Sequence, residues 1–574
     1  MKKKMLFLPL MAALLFSACS QDEDNTGTNG SGGDTTTNYL TVNLVSASNM
    51  GTRANPEDKD FAEGTTEENA VETVRFYFFD NKDDAAYVKK KDGVDVNYYD
   101  WEVDGTADGN MPNVEKKLST TLIIQSPDGD KLPATVVAVL NPTAEVKDAK
   151  VGSLTDLNTI AKNFGLTTEG FVMSNSVYAQ GGEKVEAVSV SGHIYSEPGA
   201  AKKNPVVIYV ERVLAKVRLG VSNELESSQA TIDGKATTIY KTGVKSGENF
   251  ESDQDIYVRF LGWNVTATVD KSHLMKSINS KWLDDLFGTE EPWNFPEYFR
   301  SFWAINPTGL TYNYGSFNKQ GDEAKAQLKG FTDTDNYTYV QENAAPDNGG
   351  ANATTPTQVI IAAQLVDVNG KALEVAEMAG IKYPVSELKE LFAKSAELWY
   401  DEGEGPDKKR VKIQPEDIDF ITATAAAGKT EPNKDEAGRY YVYATLSATA
   451  AGKTWYADNK TGIGGGTASE SISTDGAKAV LKALGHAKIW KTGLTYYYFD
   501  IKHLGADGKS GQYGVVRNHL YNATITKLAG LGTPVYNPDE TIYPEKPGKD
   551  DQYIAAQINI LSWRLVPSNV ELEW

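Results

Sequence analysis

The chain has 574 residues, a formal net charge of −21 and one cysteine. An acidic surface of this size repels nucleic acid phosphates and anionic membranes, which sets nucleic acid aside as a partner. A single cysteine excludes any intramolecular disulfide, so the fold must rest on buried apolar cores. The length supplies enough chain for two or three domains.

The first residues read as an export signal. Lys2, Lys3 and Lys4 form a positive start, Met5 to Phe16 is an apolar run, and Ser17 and Ala18 are small. About a dozen apolar residues suit a signal peptide and fall short of a membrane span. Cys19 follows directly. A thioether-linked lipid needs a thiolate nucleophile at the new N-terminus, so residues 1–18 read as a lipoprotein signal and Cys19 as the lipidated residue. Residues 20–38 are rich in Gly, Ser, Thr, Asn and Asp, the composition of a tether. Their acidic start, Gln21 to Asn25, resembles the surface-export signals of some Gram-negative lipoproteins.

A lone strand comes next. In Tyr39 to Val45, Leu40, Val42 and Leu44 share one face, and Thr41 and Asn43 the other. A polar stretch follows and contains Arg53-Ala54, an extended segment that an arginine-specific protease could take into its cleft. A cut there would remove the lipid and this strand together, which makes residues 19–53 a propeptide.

The remainder alternates strand patterns with turn signals. Strands are expected at Thr73 to Phe79, Thr120 to Gln125, Thr135 to Leu140, Val185 to Tyr195, Val206 to Val221, Tyr257 to Val269 and Val359 to Val366. Others are expected at Arg439 to Ala448, Leu494 to Ile501, Val515 to Lys527 and Tyr553 to Leu565. Helical spacing joins Leu157, Ile160, Ala161 and Phe164, and also Leu388, Leu391 and Phe392. A third helix, Asp475 to Leu484, is stopped by Gly485. Runs of strands with few helices predict a mainly β chain of antiparallel sandwiches. The length suggests two, 54–213 and 214–574, divided near residue 213.

No active site emerges. His193, His273, His486, His503 and His519 lack zinc-ligand spacing. Gly508-Lys509-Ser510 resembles the end of a phosphate loop but joins two strands, and Gly464-Gly465-Gly466 has no phosphate-site partner. Asp333, Asp335 and Asn336 lack the glycine and terminal glutamate of a calcium loop. The chain is expected to hold no metal or cofactor and to catalyse nothing.

The other end repeats the pattern of the lone strand. Val570, Leu572 and Trp574 alternate with Glu571 and Glu573, and no strand follows Trp574 to pair with them. An exposed apolar strand invites association. With one strand removable and a second of the same spacing available, about 564–574 can be a donor strand for a neighbour's groove, giving head-to-tail polymerisation. The pattern fits equally a strand packed within its own domain.

These features resemble the minor fimbrillins, within the fimbrillin superfamily of type V pili. The likeness is carried by the signal ending at Cys19, MGTRA at Met50 to Ala54, VAVLNP at Val137 to Pro142, FVMSN at Phe171 to Asn175 and VERVLAKV at Val210 to Val217. VVRNHLYNATITKLAGLG at Val515 to Gly532 and INILSW at Ile558 to Trp563 complete it. The resemblance implies two tandem transthyretin-like sandwiches, lipidation at Cys19, cleavage between Arg53 and Ala54, and donor-strand polymerisation. It further implies an outer-membrane lipoprotein precursor, identical subunits as partners, and fimbrial anchor and tip subunits at the ends of the polymer. Having both Arg53 and a C-terminal strand, the chain reads as a stalk subunit. Rival readings are an accessory or tip subunit, a monomeric surface lipoprotein that binds glycan or a host protein, and a surface hydrolase.

Overall fold

The computed structural model describes residues 37–47, 64–103, 114–126, 132–180, 183–276, 305–314, 328–331, 336–343, 355–403, 408–503 and 513–538, except 431, 433–435, 437 and 462–466. Beyond these it describes 541, 543, 553–561, 564–565 and 568–573. Cys19, Arg53, Ala54, Trp574 and the glycine loops at 464–466 and 508–510 lie outside the described residues.

The protein is mainly β. The first sheet takes β1 (Thr37–Ala47), β2 (Thr73–Phe79), β3 (Tyr98–Glu102), β4 (Val114–Gln125), β5 (Thr135–Leu140), β6 (Met173–Asn175), β7 (Ile194–Tyr195) and β8 (Val206–Arg212). Its order is β7–β1–β8–β6–β5–β2–β3, with β4 paired to β1. The apolar cluster on this sheet includes Leu40, Val42, Leu44, Phe76, Phe78, Leu122, Val137, Val139, Ile208 and Val210. Short helices α1 (Leu154–Thr159) and α2 (Pro198–Lys203) accompany it, and α2 packs against β1.

Two further sheets face each other in the second half. One joins β9 (Leu214–Val221), β13 (Tyr337–Gln341), β16 (His519–Ala529), β18 (Tyr553–Leu561) and β19 (Ser568–Glu573) in the order β13–β9–β16–β18–β19. The other joins β10 (Ser227–Ile232), β11 (Lys235–Lys245), β12 (Asp255–Thr266), β14 (Gln358–Val366), β15 (Leu494–Asp500) and β17 (Thr533–Pro534). Val217 and Leu219 of β9, Val359 and Ile361 of β14, Tyr497 and Phe499 of β15, and Tyr521 and Ile525 of β16 share one core. Alternate inward residues from both sheets are what a sandwich requires.

The long apolar run 206–221 is two strands in different sheets, β8 and β9, joined at Val213. Val213 and Leu214 belong to the first core, and Ala215 to the second. A third apolar cluster, Ala376 to Ile489, is inserted between β14 and β15, which pair directly with each other. It is built on α3 (Val385–Ser395), α4 (Thr474–Ala483) and short strands, and sequence patterning did not distinguish it as a unit. Gly485 follows α4 at φ 117°, a conformation that only glycine adopts without strain, as a helix stop requires.

Two expected elements differ. The helix through Phe164 stops at Thr159, because Ala161–Lys162 is drawn out to pair with Ser272–His273. The expected strand Val185 to Tyr195 is three short pieces separated by turns. The sheets are antiparallel except where strands distant in sequence meet: β1 runs parallel to β8, and β16 runs parallel to both β9 and β19. Such pairs need no hairpin, so tertiary packing sets their direction.

Candidate functional site

β1 is an interior strand of the first sheet. Along one edge it pairs antiparallel with β4, from Thr37↔Gln125 to Ala47↔Val114. Along the other it pairs with β7 at Tyr39 and Leu40, then parallel with β8 from Val42↔Val206 to Ser46↔Val210. Among the described residues, β4 has no strand partner except β1. Taking β1 away would therefore open two backbone edges at once and leave a slot one strand wide.

Leu40, Val42 and Leu44 are fully buried against Leu118, Leu122, Val206 and Ile208. On the opposite face the Thr41 and Thr121 hydroxyls lie 2.9 Å apart, and the Ser119 hydroxyl donates to Asn43 Oδ1 at 2.7 Å. Those bonds fix the register of β1, since a one-residue slip would turn Thr41 and Asn43 into the core. The packing beneath Leu44 is incomplete. A cavity there is lined by Leu44, Asn69, Val71, Leu118, Leu140, Met173 and Val210.

The segment just downstream of the Arg53 region is clamped. Arg212, at the end of β8, donates from Nε to the Glu68 carbonyl at 3.1 Å, from Nη1 to Asn518 Oδ1 at 3.1 Å, and from Nη2 to Asn69 Oδ1. The Glu68 carboxylate, fully buried, receives Lys216 Nζ and the Tyr339 hydroxyl, each at 2.5 Å. Burial pushes the Glu68 pKa up, but these hydrogen bonds outweigh it and hold the group below the usual carboxylate range. Burial, together with the bond to Glu68, raises the Tyr339 phenol. Residues 64–71 thus bridge the two cores while Asn69 and Val71 floor the β1 slot.

Other buried ion pairs reinforce this junction. Arg517 donates from Nε to Glu342 at 2.7 Å and from its Nη atoms to the Leu274 and His273 carbonyls at 2.9 and 2.6 Å. Lys276 meets Glu211 at 3.1 Å with both side chains out of solvent. Leu274 and Met275 enter the first core from the second half of the chain. Sequence reading missed this network. The only trace was a set of charged residues inside apolar strand patterns, such as Glu211 and Arg212 within β8.

The C-terminal segment lies in its own sandwich. β19 pairs parallel with β16, Ala523↔Ser568 to Ala529↔Glu573, and antiparallel with β18, Tyr553↔Glu573 to Gln557↔Ser568. Val570 and Leu572 occupy alternate ladder positions. Over Val42 to Ser46, β1 likewise has one parallel and one antiparallel neighbour. Of the expected site residues, Leu40, Val42 and Leu44 come together in the slot, and Val570 and Leu572 lie on a strand of the other half. Two histidines, His503 and His519, are buried, and His273 is half-buried, its pKa lowered by desolvation. Among the described residues no group of three or more His, Cys, Asp or Glu could hold a metal ion.

Residues 488–569 match the family described as major fimbrial subunit protein type IV, fimbrillin, C-terminal. The matched residues span β15, β16, β17, β18 and the first two residues of β19. No curated protein matches the sequence. Among solved structures, a fimbrilin from Porphyromonas gingivalis W83 aligns with 12% identity over 93% of this chain and 97% of that one, with a TM-score of 0.34. The tip fimbrial protein Mfa3 from P. gingivalis, with C-terminal truncation, aligns with 11% identity over 85% and 94%, with a TM-score of 0.29. A fimbrial assembly protein from Parabacteroides distasonis ATCC 8503 aligns with 13% identity over 58% and 86%, with a TM-score of 0.27.

Proposed function

We propose that this chain is the stalk subunit of a surface fimbrium, with a structural role. In this reading it reaches the outer membrane as a precursor lipidated at Cys19. An arginine-specific protease cuts between Arg53 and Ala54. Identical subunits then join head to tail as segment 564–574 of one enters the β1 slot of the next, and anchor and tip subunits complete the polymer. The two sandwiches would be 54–213 and 214–574.

One observation carries the proposal. β1 lies upstream of Arg53, yet it is an interior strand with three apolar residues in the core. A cut at Arg53 would leave it held only by noncovalent contacts, and its loss would create a vacancy that only another strand could fill. Each large side chain returned to the slot contributes ~1.5–3 kcal/mol, and each restored backbone hydrogen bond roughly 0.5–1.5 kcal/mol. Ordering the incoming strand offsets part of that gain. The sum suffices for a long-lived contact between subunits.

The test is the N-terminal sequence of filaments sheared from the cell surface. The expected terminus is Ala54, and Arg53→Ala is expected to leave unpolymerised precursor. Filaments that retain residues 19–53 would end this reading.

A further inference from the structure

The unit inserted between β14 and β15 contains a sheet of four short strands, in the order Lys409–Lys412, Trp399–Glu402, Trp455–Tyr456, Ser471–Ile472. One face of it is core: Trp455 is fully buried, and Tyr400 packs against the same apolar cluster. Alternation along the strands puts Trp399, Asp401, Arg410, Lys412 and Tyr456 on the other face. The register sets Trp399 opposite Lys412 on one side and Tyr456 on the other, and Tyr456 opposite Ser471. We propose that Trp399 and Tyr456 form a binding platform for a neutral, β-linked hexose chain. The proposal stands apart from strand exchange.

Tyr456 is held from two directions. The Arg410 guanidinium carbon lies 3.3 Å from the centre of its ring. The Arg410 side chain is only 4% exposed, so it lies beneath the ring, and the solvent-facing side of the half-buried Tyr456 is the opposite one. Arg410 is fixed in turn, donating from Nε to Asp401 Oδ1 at 2.8 Å and from Nη1 to the Asp458 carbonyl at 3.3 Å. The Tyr456 hydroxyl is hydrogen-bonded to Asp401, which raises its phenol pKa. Beside Trp399, Lys412 Nζ lies 5.6 Å from the ring centre and donates to the Lys394 carbonyl in the last turn of α3 at 2.7 Å. Tyr456 is thus positioned before any ligand arrives, which lowers the ordering cost of binding.

The chemistry of the face selects its occupant. Directly opposed residues on neighbouring strands have Cβ atoms about 5 Å apart, near the length of one hexose. A glycan crossing the strands therefore sets successive sugars on the two rings. The C–H faces of the sugars pack on the aromatic faces, and their hydroxyls reach exposed polar groups at the rim, such as Ser471 and Lys408. Charges on this face are matched to one another. Lys408 and Arg410 meet Asp401, Lys412 meets Glu397, and Lys409 stands opposite Glu402. In a chain of net charge −21, such a compensated face suits an uncharged ligand. A platform two rings wide is also far smaller than the ~800 Å² per partner of a stable protein interface. On the stalk reading above, the platform recurs in every subunit, so weak contacts sum along the shaft.

The test uses the full-length chain with cellotetraose, laminaritetraose and β-galactotetraose as probes, titrated by tryptophan fluorescence and calorimetry. At least one should bind. Trp399→Ala and Tyr456→Ala should each weaken that binding by roughly fivefold to tenfold, the size of one lost stacking contact. Trp399→Phe and Tyr456→Phe keep a ring and should stay within about threefold of wild type. Melting temperatures report whether the alanine variants fold, and the phenylalanine variants carry the test if they do not. Failure of all three probes to bind, unchanged affinity in folded alanine variants, or tighter binding of a sulfated tetrasaccharide than of the neutral ones would each overturn the proposal.

Discussion

Glu68 has no solvent exposure and sits only fifteen positions past Arg53, yet it is ionised by two donors from the other half of the chain, Lys216 and Tyr339. Replacing it with Gln leaves a partly buried ammonium without its counter-charge, and stability at neutral pH should fall by about 3 kcal/mol. The sign of the pH dependence follows from the lowered pKa. The unfolded carboxyl titrates near its ordinary value of 4.5 and the folded one below it. As pH falls through this window the unfolded chain takes up the proton first. The stabilisation is therefore complete above about 4.5 and is lost as pH drops through the lower, folded value. Urea melts of wild type and Glu68→Gln at several pH values check this: the difference between them should shrink in acid. A constant difference would mean that Glu68 acts through packing alone. None of this was legible in the sequence, where Glu67 and Glu68 look like any acidic turn.

β1 was legible as an element, because a period of two over Leu40, Val42 and Leu44 with polar residues between them has one reading, a half-buried strand. What period two cannot say is which strands lie beside it, and on that placement the proposed role of β1 rests. Two outcomes follow from its interior position. Leu40→Ala should cost the precursor about 2–5 kcal/mol, as for a buried leucine, and, with the strand excised as proposed, should leave assembled filaments unaffected. Thermal melts of the two forms make the comparison. Second, β4 depends on β1 for pairing, so amides of 114–125 should be protected from hydrogen exchange in the precursor, exposed after excision of β1, and protected again in the polymer. Protection unchanged by excision would mean that β4 is held by something other than β1. α1 shows the opposite case. Its i, i+3, i+4, i+7 spacing was real, with Leu157 and Phe164 both buried, but the chain leaves the helix at Ile160 to join Ser272–His273. Local periodicity was outweighed by a strand partner more than a hundred residues away.

At the scale of the molecule, the two cores are bridged rather than strung on a linker. Arg212, Glu68, Arg517, Glu342, Lys276 and Glu211 are buried where β8 passes into β9, and Leu274 and Met275 reach across. Deleting residues 564–574 should yield a chain that is exported, cleaved and monomeric by size-exclusion chromatography. Filaments of normal length from that deletion would move the donor to β18 or elsewhere. Both β16 and β18 keep their direct pairing, Leu520↔Leu561 to Asn522↔Asn559, when β19 is removed, so the second sandwich should survive the deletion.

The sequence by itself determined the mainly β class, most strand positions, and the alternation that puts Leu40, Val42 and Leu44 on one face. These follow from local rules: the pleat repeats every two residues, and β-branched and aromatic side chains suit it. The third cluster between β14 and β15, the parallel directions of β1 and β19, the cavity under Leu44 and the ion pairs at the junction were decided only in three dimensions. Each depends on residues far apart in the sequence, such as Leu44 with Val210 or Glu68 with Tyr339. Direction, volume and charge compensation are properties of neighbours, and only the folded chain determines which residues those are.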